Sequence, residues 1–292
     1  MKKLLFVMNP NAGTKKANKY LTDILSLFTR AGYETNVHIT RSQGDGKQVV
    51  AQRAKDVDLV VCCGGDGTFN ETVAGLLESG AKCPVGYIPA GSTNDFANSL
   101  GLPSDPLKAA EKIAYGTLSA YDVGSFNGRY FTYVASFGAF TKTSYTTPQN
   151  IKNALGHTAY ILSGIQELSQ IRAVHGKFTL DDEVIEDDFL FGAICNSNSL
   201  GGILTLDPKQ VDMQDGKFEL LLVRAPKDLI ELGECIQAVQ KQVYNCKMIT
   251  FRRASRIQIH IEPLPWSLDG EAQRGREEIL VENIHQAFEL VK

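Results

Sequence analysis

Apolar and polar positions alternate over the first part of the chain in a strand–helix rhythm. Residues 4–8 are an unbroken apolar run that reads as a buried strand. A polar loop over residues 9–14 follows, and then Leu21, Ile24, Leu25 and Phe28 recur at helical spacing. Residues 35–40 read as a second strand, leading through Gly44-Asp45-Gly46 into a helix from about residue 47 to 54. Residues 58–63, apolar from Leu59 onward, are short enough for a third strand, and Phe69, Val73, Leu76 and Leu77 give the helix after it. Residues 84–89 form the next strand, followed by Ala90-Gly91-Ser92-Thr93-Asn94-Asp95 and a helix from Phe96. This alternation predicts a doubly wound parallel sheet with helices on both faces. Ligands in such folds bind beyond the carboxyl ends of the strands, where all the Gly- and Asn-rich loops fall.

From about Tyr121 the pattern changes. Residues 129–137, 177–180, 189–196, 218–223, 249–251 and 256–261 read as strands rich in aromatic and β-branched residues. Two helical stretches interrupt them, at about 152–171 and at 228–242, the latter with Leu229, Leu232, Ile236 and Val239. The expected architecture is α/β: an N-terminal doubly wound nucleotide-binding domain over residues 1–122, and a β-rich sandwich domain over 123–292. The final residues, about 283–292, are candidates to return to the first domain, with a strand at 287–291 whose partner is open.

Bulk properties narrow the class. The 292 residues are 43% hydrophobic and 22% charged, ordinary values for a folded chain. A formal charge of −3 argues against a general nucleic-acid binder. No apolar run approaches the roughly 20 residues that span a bilayer, and the N-terminal apolar run is too short for a secretory leader. Six cysteines lack C-x-x-C spacing and sit mostly in apolar segments, so they read as core residues of a cytoplasmic protein.

The stretch Gly64-Gly65-Asp66-Gly67-Thr68-Phe69-Asn70-Glu71-Thr72 carries the most chemistry. A strand feeding a Gly-Gly turn that opens a helix aims backbone N–H groups and a helix N-terminus at one point, which suits phosphate. Asp66 would repel a bare phosphate, so it calls for a divalent cation or ordered water. A plain tight turn would need only the glycines and Asp66. Thr68 and Glu71 have the spacing of a capping box, with Thr68 as cap, which ties the loop to a helix start.

Five motifs in order then resemble the diacylglycerol kinase family, in its soluble bacterial branch. They are Asn9-Pro10-Asn11-Ala12-Gly13, the Gly64–Glu71 motif, Gly91-Ser92-Thr93-Asn94-Asp95-Phe96-Ala97, Asp215-Gly216, and Leu268-Asp269-Gly270-Glu271. The resemblance covers essentially the whole chain. It implies transfer of the γ-phosphoryl of Mg-ATP to diacylglycerol, giving phosphatidic acid, with ATP between the two domains. Its contacts would be Asn9, Pro10, Asn11, Ala12, Gly13, Thr40, Gly65, Asp66, Gly67, Thr68, Phe69, Asn70, Glu71 and Thr93. Glu271 would accept the hydroxyl proton, and Asp66 and Asp95 would hold the catalytic Mg2+ and its waters. A second, structural Mg2+ would sit at Asp212, Asp215 and Lys217, the lysine serving only through its carbonyl.

Each reading has a plainer rival. Asp269-Gly270 also reads as a hairpin turn with an exposed Glu beside it, Asp215-Gly216 as another turn, and Asp95 or Asn94 as a helix cap. Trp266 reads as core. Lys15, Lys16 and Lys19, and Arg252, Arg253 and Arg256, are basic clusters that could meet an anionic bilayer for transient association, or could simply be solvated. The run Asn196-Ser197-Asn198-Ser199-Leu200-Gly201-Gly202-Ile203 departs from the family's usual glycine run, which bears on lipid specificity. A homodimer is a family-level expectation. Competing functions are a kinase for another lipid alcohol, an NAD kinase-like enzyme, and a nucleotide-regulated lipid-binding module without catalysis.

Overall fold

Leu4, Leu5, Phe6 and Val7 are all fully buried, as a central strand covered on both faces requires. The computed structural model describes residues 1–138, 172–200, 204–226, 229–241, 244 and 246–292. Two units are present: Met1–Val123 with His285–Lys292, and Gly124–Ile284.

In the first unit, β1 (Lys2–Met8), β2 (Tyr33–Ile39), β3 (Leu59–Gly64) and β4 (Val85–Pro89) are parallel, in the spatial order β2-β1-β3-β4. The helices are α1 (Leu21–Arg30), α2 (Asp45–Arg53), α3 (Asp66–Ser79), α4 (Asp95–Ser99) and α5 (Pro106–Tyr115). Ile24 and Phe28 of α1 and Ala109, Ala110 and Ile113 of α5 pack with Leu4, Phe6, Leu59 and Val61 on one face. On the other face, Phe69 of α3 stacks on Tyr87 of β4, with ring centroids 4.4 Å apart. The doubly wound expectation is met.

The helix expected from Phe96 is two helices. Gly101 takes φ 62°, which closes α4. A new start follows, where the Asp105 carboxylate accepts the Leu107 and Lys108 amides with Pro106 at the first turn. The C-terminal strand, Glu278–Val291, finds its parallel partner in β4, with Leu290 opposite Val85.

The second unit begins within β5 (Leu118–Phe126) and continues through β6 (Arg129–Phe131), β7 (Val134–Gly138), β8 (Val174–Thr179), β9 (Val184–Cys195), β10 (Ser199–Leu200), β11 (Leu204–Thr205) and β12 (Phe218–Arg224). The helix α6 (Leu229–Gln240) falls inside the expected 228–242. After it come β13 (Ile249–Ala254), β14 (Arg256–Ile261), β15 (Pro265–Leu268), β16 (Glu271–Arg274) and β17 (Glu278–Val291). The pairs β5–β6, β7–β9, β8–β9, β9–β12, β12–β13, β8–β14, β14–β17, β7–β15 and β15–β16 are antiparallel, and β9 is shared: its first half pairs with β8, its second with β7 and β12. The sandwich core holds Phe126, Phe137, Phe178, Phe189 and Trp266. Trp266 is 1% exposed and lies 4.8 Å from the Phe137 ring, so it belongs to the core. The helix expected at about 152–171 and residues 201–203 lie outside the described residues.

Two strand expectations change. The run 129–137 is not one strand: it breaks at Thr132 and Tyr133, whose amides turn to the Asp269 carboxylate. Pro265–Leu268 and Glu271–Arg274 form the hairpin β15–β16, so strands flank the turn expected at Asp269-Gly270. Among the described residues no helix is long and apolar enough to cross a membrane.

Gly75 fixes how closely α3 approaches α2. A methyl group there would lie 2.4 Å from the Lys47 carbonyl oxygen and 3.0 Å from Val50 Cβ. Gly75→Ala should therefore destabilise by about 1–3 kcal/mol through overpacking, against the roughly 1 kcal/mol that helix propensity alone would add. Thermal or denaturant unfolding reads the sign directly, and a stabilised variant would refute the close-approach assignment.

Candidate active site

The first unit gathers its polar loops at the carboxyl ends of β1 to β4 by backbone-on-backbone contact. A Cβ on Gly13 would meet the Ala90 carbonyl oxygen at 2.4 Å, and one on Gly91 would meet Gly65 Cα at 2.6 Å. Only glycine allows these approaches, and Gly13 also holds φ 50°. Asn9 links two loops: its Oδ1 accepts the Asn11 amide at 2.9 Å and its Nδ2 donates to Thr68 Oγ1 at 3.2 Å. The Thr40 amide donates to the Met8 carbonyl at 2.8 Å, which places Thr40 beside the same strand end. The Thr93 carbonyl accepts from Asn98 Nδ2 at 2.7 Å.

Helix α3 starts at Asp66 with Gly65 as its cap, so Thr68 is inside the helix rather than at its cap position. Thr68 is 8% exposed. The two acids of the motif reach other helices. Asp66 Oδ2 accepts the Asp95 amide at 3.0 Å, and Oδ1 the Phe96 amide at 3.2 Å, so this carboxylate caps α4 from outside. Asn94, one of the two residues that also read as a helix cap, occupies the N-cap position of α4, but its side chain makes no capping bond and instead bonds Gly91 through both its oxygen and its nitrogen. Glu71 accepts the Gly44 amide at 2.6 Å and the Gly46 amide at 3.1 Å, an anion at the start of α2. Phe69 is fully buried in the aromatic cluster, so any ligand contact it makes runs through its backbone. Gly67 and Asn70 lie in the first turns of α3, and Pro10, Asn11 and Ala12 in the loop after β1. Asp95 is 2% exposed.

In the second unit, Asp269 (φ 49°) and Gly270 (φ 82°) form the two-residue turn between β15 and β16. Asp269 is buried and its carboxylate accepts four hydrogen bonds. These come from the Thr132 amide (2.5 Å), the Thr132 hydroxyl (2.8 Å), the Tyr133 amide (2.9 Å) and the Val134 amide (3.0 Å). Burial pushes this carboxyl above its ordinary value, while those donors pull it back. Glu271 follows the turn, about one-third exposed, with Oε2 taking a bond from Arg129 Nη2 at 2.7 Å. The plainer reading describes the geometry: Asp269-Gly270 is a hairpin turn with the partly exposed Glu271 beside it.

The expected structural metal ligands lie in one loop, and both carboxylates among them already accept hydrogen bonds. Asp212 Oδ1 accepts the Gln214 amide at 3.0 Å. Asp215 Oδ1 accepts the Lys217 amide at 2.9 Å, and its Oδ2 is paired with Arg253. Arg253 Nε is also 3.3 Å from Glu219, which is fully buried and whose carboxyl burial pushes up to about 8. A guanidinium beside Asp215 fits a divalent cation poorly. Among the described residues no group of three or more His, Cys, Asp or Glu could hold a metal ion. Asp66 and Asp95 offer hard carboxylate oxygens of the type magnesium takes.

The basic cluster at 252–256 is consumed by ion pairs: Arg252 with Glu183 at 2.6 Å, Arg253 with Asp215, and Arg256 with Glu282 at 3.8 Å. Sequence reasoning missed Arg129 and the capping role of Glu71. The Asn127-Gly128 dipeptide was a readable hairpin signal, but nothing local connects residue 129 to residue 271.

Known proteins resemble the chain over most of its length. A family model for the diacylglycerol kinase catalytic domain matches residues 3–126, and one for the YegS C-terminal NAD kinase beta sandwich-like domain matches residues 136–291. The chain is 33% identical over 274 residues to a diacylglycerol kinase of Bacillus subtilis (strain 168), covering 93% of this chain and 90% of that one. It is 34% identical over 270 residues to a diacylglycerol kinase of Staphylococcus haemolyticus (strain JCSC1435), covering 91% and 81%. A solved structure from Bacillus anthracis str. Sterne superposes with TM-score 0.84 at 27% identity, covering 99% of this chain and 96% of the other. The chain belongs to the diacylglycerol kinase family and is a lipid kinase of it.

Asp269 and Glu271 should separate cleanly by unfolding. Asp269→Asn turns an NH2 group toward buried donors and should cost about 3 kcal/mol. Glu271→Gln, at a partly exposed position, should change stability by no more than about 0.5 kcal/mol. Equal melting of Asp269→Asn and the parent protein would overturn the anchoring role.

Proposed function

We propose that this family member transfers the γ-phosphoryl group of Mg-ATP to the free hydroxyl of diacylglycerol, giving phosphatidic acid and ADP, with Glu271 as general base. The observation that carries the reading is the placement of Glu271. It stands directly after a turn whose aspartate is held by four hydrogen bonds, so its backbone is fixed while its side chain reaches solvent. The names of the relatives support the choice of acceptor.

In the first unit, the backbone around Gly13, Gly65 and Gly91 is free of side chains and able to lie close to a polyphosphate. Asn9, Thr40, Thr68 and Thr93 supply short polar groups around it. Asp66 and Asp95 would hold the magnesium, which when bound neutralises charge on the β- and γ-phosphates. In the second unit, Glu271 takes the proton of the acceptor hydroxyl as that oxygen forms its bond to the γ-phosphorus. The bond from phosphorus to the ADP oxygen breaks, and ADP leaves with that electron pair. Glu71 and Asp66 contribute by fixing loops through backbone amides.

The test is transfer of labelled γ-phosphate from Mg-ATP to lipids in mixed micelles, with diacylglycerol, phosphatidylglycerol, ceramide and soluble NAD as acceptors. Labelled phosphatidic acid is expected, with turnover reduced by about 10²–10⁴-fold in Glu271→Gln and ATP affinity retained. Label on another lipid, or none, would overturn the acceptor; near-normal turnover of Glu271→Gln would remove the base.

A further inference from the structure

Glu271 does not stand alone on its strand. Glu271 and Gln273 are two residues apart in β16, so their side chains share one face. Arg129 spans them both: Nη2 donates to Glu271 Oε2 at 2.7 Å, and Nη1 to Gln273 Oε1 at 2.7 Å and to the Ala272 carbonyl at 3.4 Å. The arginine is itself placed by a rigid device. It follows the β5–β6 turn, where Asn127 (φ 48°) and Gly128 (φ 84°) form a two-residue turn with Phe126 opposite Arg129. That turn is clamped to β17. The Asn127 amide donates to the Leu280 carbonyl at 2.9 Å, and the Leu280 amide donates back to Asn127 Oδ1 at 2.8 Å.

An ion pair of this exposure adds little to stability, because solvent screens it and two long side chains lose rotamer freedom. Its effect on geometry is different. A glutamate side chain left to itself spreads over many rotamers, and a proton acceptor must lie within hydrogen-bond reach of the group it serves. A planar guanidinium bound at two points to one strand face fixes direction as well as distance.

We propose that Arg129 is a positioning residue for the phosphoryl transfer: it holds the Glu271 carboxylate in one rotamer for the acceptor hydroxyl. This rests on Glu271 being the base. Gln273 completes the seat by fixing the other half of the guanidinium.

The experiment measures kcat, KM for ATP and melting temperature for Arg129→Met, Arg129→Lys, Glu271→Gln and the Arg129→Met/Glu271→Gln double variant. Arg129→Met should lower kcat by about tenfold to a hundredfold, the scale of a misplaced catalytic group, with KM for ATP within about twofold and unchanged melting. Arg129→Lys should recover part of the loss, since an ammonium replaces the charge but not the fork. The double variant should be no slower than Glu271→Gln alone, because a seat matters only while the base is present. Wild-type kcat in Arg129→Met, or losses that multiply in the double variant, would overturn the proposal while leaving Glu271 as base. A rise in KM for ATP that accounts for the whole loss would overturn it too, by assigning Arg129 to the nucleotide. Near-normal turnover in Glu271→Gln would remove base and seat together.

Discussion

A backbone N–H that gives up water must find an acceptor, and at a helix start the first few have none within the helix. In the first unit α3 resolves this for two other helices. Asp66 takes the opening amides of α4, and Glu71 takes those at the start of α2. The loops after β2, β3 and β4 therefore share one set of carboxylates. Moving Asp66 would strand the amides of the buried Asp95 and Phe96 at a cost of about 1–3 kcal/mol each. Loops that would otherwise be free to drift are held to a single arrangement, and the glycines between them allow main chain to touch main chain.

The second unit applies the same rule to a different end. Asp269 gathers amides from the break between β6 and β7, and so fixes the turn from which Glu271 projects. The work is divided between neighbours in sequence. The aspartate is fully engaged inside the protein, and the glutamate two positions on is directed outward. Two acids of one short motif are chemically alike and physically opposite, because one is sealed beneath the sheet and the other is not.

Much of this was legible in the sequence, for identifiable reasons. Parallel strands covered on both faces are unbroken apolar runs, so β1, β3 and β4 announced themselves, and the loops at their ends carried the glycines that close contact demands. The sandwich strands were visible by composition, but their ends were not. Residues 129–137 look continuous because the break at Thr132 is imposed by Asp269, over a hundred residues away in the chain. Thr68 and Glu71 have the spacing of a local cap, yet Glu71 turns to Gly44 and Gly46. The Asp215 loop carries an acidic pattern suited to a cation, and Arg253 of β13 brings the positive charge to it. In each case local sequence named the right residue type, and a distant partner decided what it does.

The last strand has a consequence for how the protein is made. Leu290 is fully buried and pairs beside Val85, and Phe288 joins the rings of Phe69, Phe96 and Tyr121. Residues 285–292 thus complete a unit whose other members are 1–123. A chain emerging from the ribosome presents the amino-terminal strands first, but β4 lacks its second strand neighbour until residues 285–292 have been made. The unit whose strands are translated first is therefore completed only after residues 124–284 have been made, and until then the hydrogen-bonding edge of β4 faces no strand of its own.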